Sequence, residues 1–232
     1  MNDSLGRRLK DLFAAPARLM DRVGEAPRYL IPGLIVLVIM GGFSYLTMPI
    51  TAPEQMELMR DSKIMRLMPE DAWQQQYEQA MNPTPLKRTL QSVGSAFSIW
   101  ISMLLFGFIL GFFARMSGGQ GSMRQALGIV SWASLIPFGV AMVIKLPLIM
   151  MTESAFRITL GLAAFAPGDN PMSPLHQFLM TYGDFFTWWG LAVLVVGFER
   201  VFKLSRGTAA VAVILPWAVA SAIPLGISLI MM

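Results

Sequence analysis

The 232-residue chain has no cysteine, a single histidine and only 14% Asp, Glu, Lys and Arg. Without cysteine there is no disulfide, no thiolate nucleophile and no cysteine-based metal cluster, and the redox compartment leaves no mark. A soluble domain carries about 25% charged residues, so a chain of this length with so few cannot clothe its surface in charge. The His-Glu-x-x-His, Gly-x-Ser-x-Gly and Walker patterns are missing too, which removes the usual signatures of a metalloprotease, an esterase-type hydrolase and a nucleotide-binding enzyme. What the chain has is hydrophobicity: 55% apolar residues and a mean hydropathy of +0.57. Disordered, collagen-like and disulfide-scaffold classes are excluded, and a polytopic membrane protein remains.

Crossing a bilayer core takes about 20 mostly apolar residues in a helix. Five stretches qualify, near 29–48, 93–114, 126–151, 177–198 and 208–231. They are too long and too continuous for barrel strands, which alternate with period two. The reading is an all-α integral membrane protein with five transmembrane helices. Residues 1–28 form an amphipathic segment, and residues 29–232 form the membrane domain with its large loop at 49–91. The first span starts too late and runs too long for a cleavable signal peptide.

Orientation follows from Lys and Arg placement. The N-terminal segment, the 115–124 loop and the 199–206 loop share one side and hold eleven basic residues; the 49–91 and 152–176 loops hold six. The N terminus is therefore expected in the cytoplasm and the C terminus outside. This sidedness also reads the net charge of +4 as membrane orientation, with no nucleic acid as partner.

In the first segment Leu5, Leu9, Leu12, Phe13, Leu19, Met20 and Val23 share one helical face, opposite Arg7, Lys10, Asp11, Arg18, Asp21 and Arg22. Pro16 is expected to start a second short helix. The segment suits an interfacial helix on an anionic leaflet; the alternative is a helix packed on the cytoplasmic ends of the bundle. In the 49–91 loop a helical hairpin on the bundle rim is expected. Ser154–Ala166 reads as an interfacial or re-entrant helix, ended by Pro167-Gly168-Asp169-Asn170-Pro171.

Charges inside spans are functional candidates. Lys145 and Asp184 lie at similar depth, about 10 Å inside the outer ends of spans three and four, and are expected to pair. Otherwise Lys145 snorkels outward and Asp184 caps a late-starting helix. An intramembrane aspartyl protease would need a second aspartate, and no other span holds one. His176 reads as an ordinary interfacial residue, and Gly118–Gly121 as a turn. Arg115, Arg124, Lys203 and Arg206 flank the short inner loops and suit lipid phosphates or a docking partner. Gly107 and Gly111 make a Gly-xxx-Gly pair for close helix packing. Met56/Met59 and Met65/Met68 have the spacing of a weak copper site, against the ordinary role of Met as apolar filler; no cofactor is implied. Pro137, Pro147, Pro216 and Pro224 predict kinks.

Two passages carry a resemblance. One is Gly118-Gly119-Gln120-Gly121-Ser122-Met123-Arg124-Gln125-Ala126-Leu127-Gly128-Ile129 followed by Ser131-Trp132-Ala133-Ser134-Leu135-Ile136-Pro137. The other is Tyr182-Gly183-Asp184-Phe185-Phe186-Thr187-Trp188-Trp189, continuing through Val196-Gly197-Phe198 to Leu204-Ser205-Arg206-Gly207-Thr208-Ala209-Ala210. With Asp11-Leu12-Phe13-Ala14-Ala15-Pro16 ahead of the first span, the chain resembles bacterial members of the Yip family (Ypt/Rab-interacting proteins, the Yip-one domain) over roughly residues 10–230. The resemblance implies a five-span protein with a cytoplasmic N terminus in the bacterial inner membrane, and it brings no catalytic residue. The function expected is a non-enzymatic membrane scaffold or accessory subunit, with lipids and other membrane proteins or a second copy as partners. The alternative is a lipid or small-solute transport component using Lys145 and Asp184. A polar, water-accessible cavity reaching Asp184 would favour transport, and a tightly packed interior with an exposed apolar protein-contact face would favour the scaffold.

Overall fold

The computed structural model describes residues 4–60, 68–165 and 173–230. Among these, five helices are long and apolar enough to cross a membrane: Leu30–Met59, Pro85–Met116, Met123–Thr152, Phe185–Phe202 and Arg206–Gly226. Two shorter helices come first, α1 (Leu5–Ala14) and α2 (Pro16–Glu25). Ser4 caps α1, its hydroxyl accepting from Arg7 N–H, and Pro16 opens α2, where its missing N–H costs nothing.

The first two spans are longer than hydropathy predicts. α3 runs Leu30–Met59 through Pro49 and Pro53, about 45 Å of helix. That exceeds the hydrocarbon core by about half, so its C-terminal part extends past the apolar stretch. α4 (Glu70–Met81) folds back on that extension, and α5 (Pro85–Met116) starts well before residue 93. The 49–91 loop is thus largely helix. Trp73 stacks on Tyr77 at 5.0 Å and Arg60 lies 4.4 Å over Trp73, pinning α4 in place.

Span three is the buried one: 61% of its apolar window is inside, against 28–39% for the others. It consists of α6 (Met123–Leu135), a π turn at Ile136–Val140 and α7 (Ala141–Thr152). Pro137 supplies no N–H and crowds the carbonyl four residues back, and the wider turn relieves both conflicts. The helix continues through Pro147, and α10 (Arg206–Ile230) through Pro216 and Pro224.

Two expectations need correction at the end of the bundle where α4 lies, the far end. Span four is not one helix over 177–198. α8 (Pro174–Tyr182) stops at Gly183, and α9 (Phe185–Phe202) starts afresh after Asp184. Residues 154–165 are not an α-helix: only a 3-10 turn, Leu162–Phe165, forms there. Instead Gly161 pairs with Asp184 in an isolated antiparallel bridge; Leu162 N–H donates to Gly183 O (3.0 Å) and Phe185 N–H to Leu160 O (3.1 Å). A side chain at Gly161 would overlap the Gly183 carbonyl, so glycine is what lets the two backbones meet. The Pro167–Pro171 terminator lies outside the described residues.

The N-terminal helices also sit differently from the leaflet reading. Leu12, Leu19, Met20 and Val23 are fully buried in the protein core. α2 runs parallel to α9 along its flank. Phe13 meets Trp189 at 5.5 Å, Met20 faces Gly197, Asp21 binds Arg200 at 2.8 and 3.0 Å, and Gly24 faces Val201. The contact spans about 18 Å of helix. The apolar face is therefore taken up mainly by span four and span three, with Leu5 and Phe13 left exposed. Asp11 is buried, bound to Arg22 at 2.6 Å, because the turn at Ala15 folds α2 back beside it.

Candidate functional site

The helix break in span four delivers a carboxylate into the bundle. α8 ends with Gly183 N–H on Leu179 O (2.9 Å), and Asp184 adopts the extended backbone of an N-cap. Its Oδ1 accepts from Phe186 N–H at 2.8 Å. Its Oδ2 accepts from Lys145 Nζ of α7 at 2.7 Å. Pairing and capping are alternatives when read from sequence; one carboxylate has two oxygens and here does both. The side chains of Lys145 and Asp184 are 16% and 6% exposed. Lys145 lies seven residues before the end of α7, about 10 Å along the helix.

The pair borders a partly open pocket of about 680 Å³ enclosed by spans two to five and by Ala155 and Phe156 of the 154–165 segment. The volume is within the range of small-molecule sites. Phe106, Phe138, Leu194 and Trp217 supply apolar wall; Ser98 and Ser102 of α5, Ser134 of α6 and Ser221 of α10 add hydroxyls from three spans. Pro137, in the π turn, lines it and faces Gly190 of α9, so the widened turn shapes the wall. At the far end Glu54 of α3 holds the 154–165 segment: its carboxylate accepts from Ala155 N–H (2.7 Å) and from the Ser154 hydroxyl.

The other candidates are dispersed. Gly107 and Gly111 face span three, where added β-carbons would lie 2.9 Å from Leu127 and 2.8 Å from Ala126. The Gly-xxx-Gly pair is thus occupied within the chain. Arg115, Arg124, Lys203 and Arg206 are all exposed at the near end, the one holding the loops around 117–122 and 203–205. Ser122 caps α6 in a reciprocal pair with Gln125, whose Nε2–H donates to Gly24 O (2.7 Å) and ties α2 to this end. Met56 lines a shallow far-end cleft with Gln55, Gln76 and Gln79. Met59 ends α3 and Met68 precedes α4, whereas Met65 lies outside the described residues. His176 sits on α8, its N–H on the Ser173 hydroxyl.

Sequence reasoning passed over the pocket hydroxyls and Glu54. Ser98 and Ser102 are four residues apart and so share a helix face, a signal that hydropathy averages away. Chemically the site offers a cation, a carboxylate and hydroxyls in an apolar setting. Among the described residues no group of three His, Cys, Asp or Glu side chains is placed to hold a metal.

Residues 10–227 match the family model described as the Yip1 domain. No curated protein and no solved structure matches the chain.

Proposed function

The chain belongs to the Yip1 domain family, and on that premise we propose that it is a non-enzymatic membrane protein that takes up an amphipathic molecule, a lipid or small solute, from the bilayer. The observation that carries this is the pocket itself. Facing helices normally close on one another with few gaps larger than water, yet here a partly open pocket of about 680 Å³ stands beside a charged pair within apolar spans. Charges placed there are costly and mark ligand or ion routes in membrane proteins. Basic near-end residues facing the cytoplasm, in a bacterial inner membrane, complete the reading.

A second reading is an accessory subunit or scaffold. It is favoured by the exposed near-end set Arg115, Arg124, Lys203 and Arg206, a docking patch for lipid phosphates or a partner protein.

The test is reconstitution of the purified chain in liposomes with a fluorescent amphipath. Protein-dependent transfer, abolished by Leu194→Trp, which fills the pocket floor, supports the first reading. No transfer together with a stoichiometric partner co-purified from native membranes supports the second.

A further inference from the structure

The charged pair and the part of the pocket lined by Phe106 and Leu194 lie at different depths, and their order names the ligand more closely; this step rests on the pocket reading above. Lys145, Asp184, Thr181 and Tyr182 stand at the far end, whereas Phe106, Val130 and Leu194 form an apolar floor toward the near end. From Asp184 to Leu194 is ten residues of α9, about 15 Å. A graded slot of this length fits a polar head followed by a chain.

The head is specified by what the pair leaves unused. An ammonium has three N–H donors and no acceptor. One donor of Lys145 goes to Asp184, and among the described residues no second acceptor holds the others. Asp184 is committed on both oxygens, to Lys145 and to Phe186 N–H. It cannot swing toward a ligand without uncapping α9. The group available to a ligand is therefore a cation, and its strongest partners are charged oxygens.

We infer that the pocket binds a single-chain amphipath with an anionic oxyacid head, a carboxylate or a phosphate, held at Lys145 with its chain along Phe106 and Leu194. Asp184 has a second part. It neutralises Lys145 while the pocket is empty, sparing a lone charge in the membrane, and it competes with the head for the ammonium when the pocket fills.

The full chain in phosphatidylcholine nanodiscs is labelled with three diazirine-tagged single-chain probes: hexadecanoate, a lysophosphatidate and an uncharged monoacylglycerol. Labelling is mapped by mass spectrometry and titrated. Anionic probes are expected to label pocket-floor residues. Lys145→Met should weaken their apparent affinity by about tenfold. Asp184→Asn, which keeps an N-cap residue, should strengthen it by about threefold or more, since the competing charge is gone. A purely structural pair would not move affinity in opposite directions. Response to one anionic probe alone identifies the head as carboxylate or phosphate. If the monoacylglycerol labels the floor as well as the anions, or Asp184→Asn fails to strengthen anion labelling, the anionic head is wrong and the pocket reading stands. If no probe labels the pocket, both fall. Lys145→Met leaves a buried carboxylate and can compromise folding; the Asp184→Asn gain decides the matter without it.

Discussion

The two ends of the bundle are built on opposite plans. At the near end α1 and α2 lie against spans three and four, and Leu12, Leu19, Met20, Val23, Phe198 and Phe202 are completely buried. Small residues let the pieces close up: a side chain at Gly121 would lie 2.5 Å from the Phe202 ring, and one at Gly197 would lie 2.4 Å from Ile129. Toward the far end a helix is broken and a non-helical segment is strapped on by Glu54; a π turn widens span three at mid-depth, and a partly open pocket of about 680 Å³ lies between. Packing density stabilises one end, while the other gives up dispersion contacts and carries a charged pair. The contrast separates a tightly packed base from a part that keeps a pocket and a charged pair within a single bundle.

The largest effect that would break this comparison is a cavity at the near end. Phe202→Ala removes a ring wedged against Phe198 (centroids 4.9 Å apart) and the 119–121 turn, and should cost about 4 kcal/mol. Phe106→Ala on the pocket wall removes a ring that already borders open space, and should cost under about 1.5 kcal/mol. Unfolding of both variants in mixed micelles measures the difference. Equal losses would mean that the pocket wall is as tightly packed as the near end, and the division would be lost.

The next effect sharpens the far end. Asp184→Ala strips Lys145 of its counter-charge and α9 of its cap, and should cost about 3 kcal/mol. Asp184→Asn keeps the capping oxygen but still leaves Lys145 without its counter-charge, and should cost about 2 kcal/mol. The gap between the two separates the cap from the charge, and a thermal melt of each in detergent reads it. If Asn and Ala are equally damaging, the charge rather than the cap holds the break in span four.

The five spans are legible because hydropathy reports apolar length directly, and the match of residues 10–227 to the Yip1 domain agrees with the order of motifs around spans three to five. Hydropathy does not report where a helix ends once it leaves the apolar stretch. α3 and α5 therefore run past their expected limits, α3 even through Pro49 and Pro53. It also blurred the break in span four, since the stretch 177–198 is apolar on average despite Gln177 and Asp184; the local clue was Gly183-Asp184, a helix stop beside a favoured cap. Lys145 and Asp184 stand out as charges in apolar runs, and the helical rise sets them at one depth. The pocket could not be read, because Ser98, Ser134 and Ser221 come from three helices and converge only through packing. For α1 and α2 the wheel shows which face is apolar but not whether lipid or protein covers it.

The smallest effect concerns the helical hairpin beyond the pocket, where α4 leans on the α3 extension. The Tyr77 hydroxyl donates to Glu57 of α3, and this bond, followed by burial and the Glu57 charge, pushes the phenol above its ordinary value of 10. The unfolded chain gives up this proton near pH 10, whereas the folded one holds it to higher pH. The bond's contribution is therefore complete below about pH 10 and is lost as pH climbs through the raised folded-state value. Trp73, stacked on Tyr77 and only 7% exposed, reports the contact. Quenching of tryptophan fluorescence by iodide should rise in a step above pH 10 in the wild type. In Tyr77→Phe the quenching should already be raised at neutral pH and show no such step. A wild-type step that survives in Tyr77→Phe would place the alkaline transition elsewhere, and the hairpin would then belong with the tightly packed end rather than the open one.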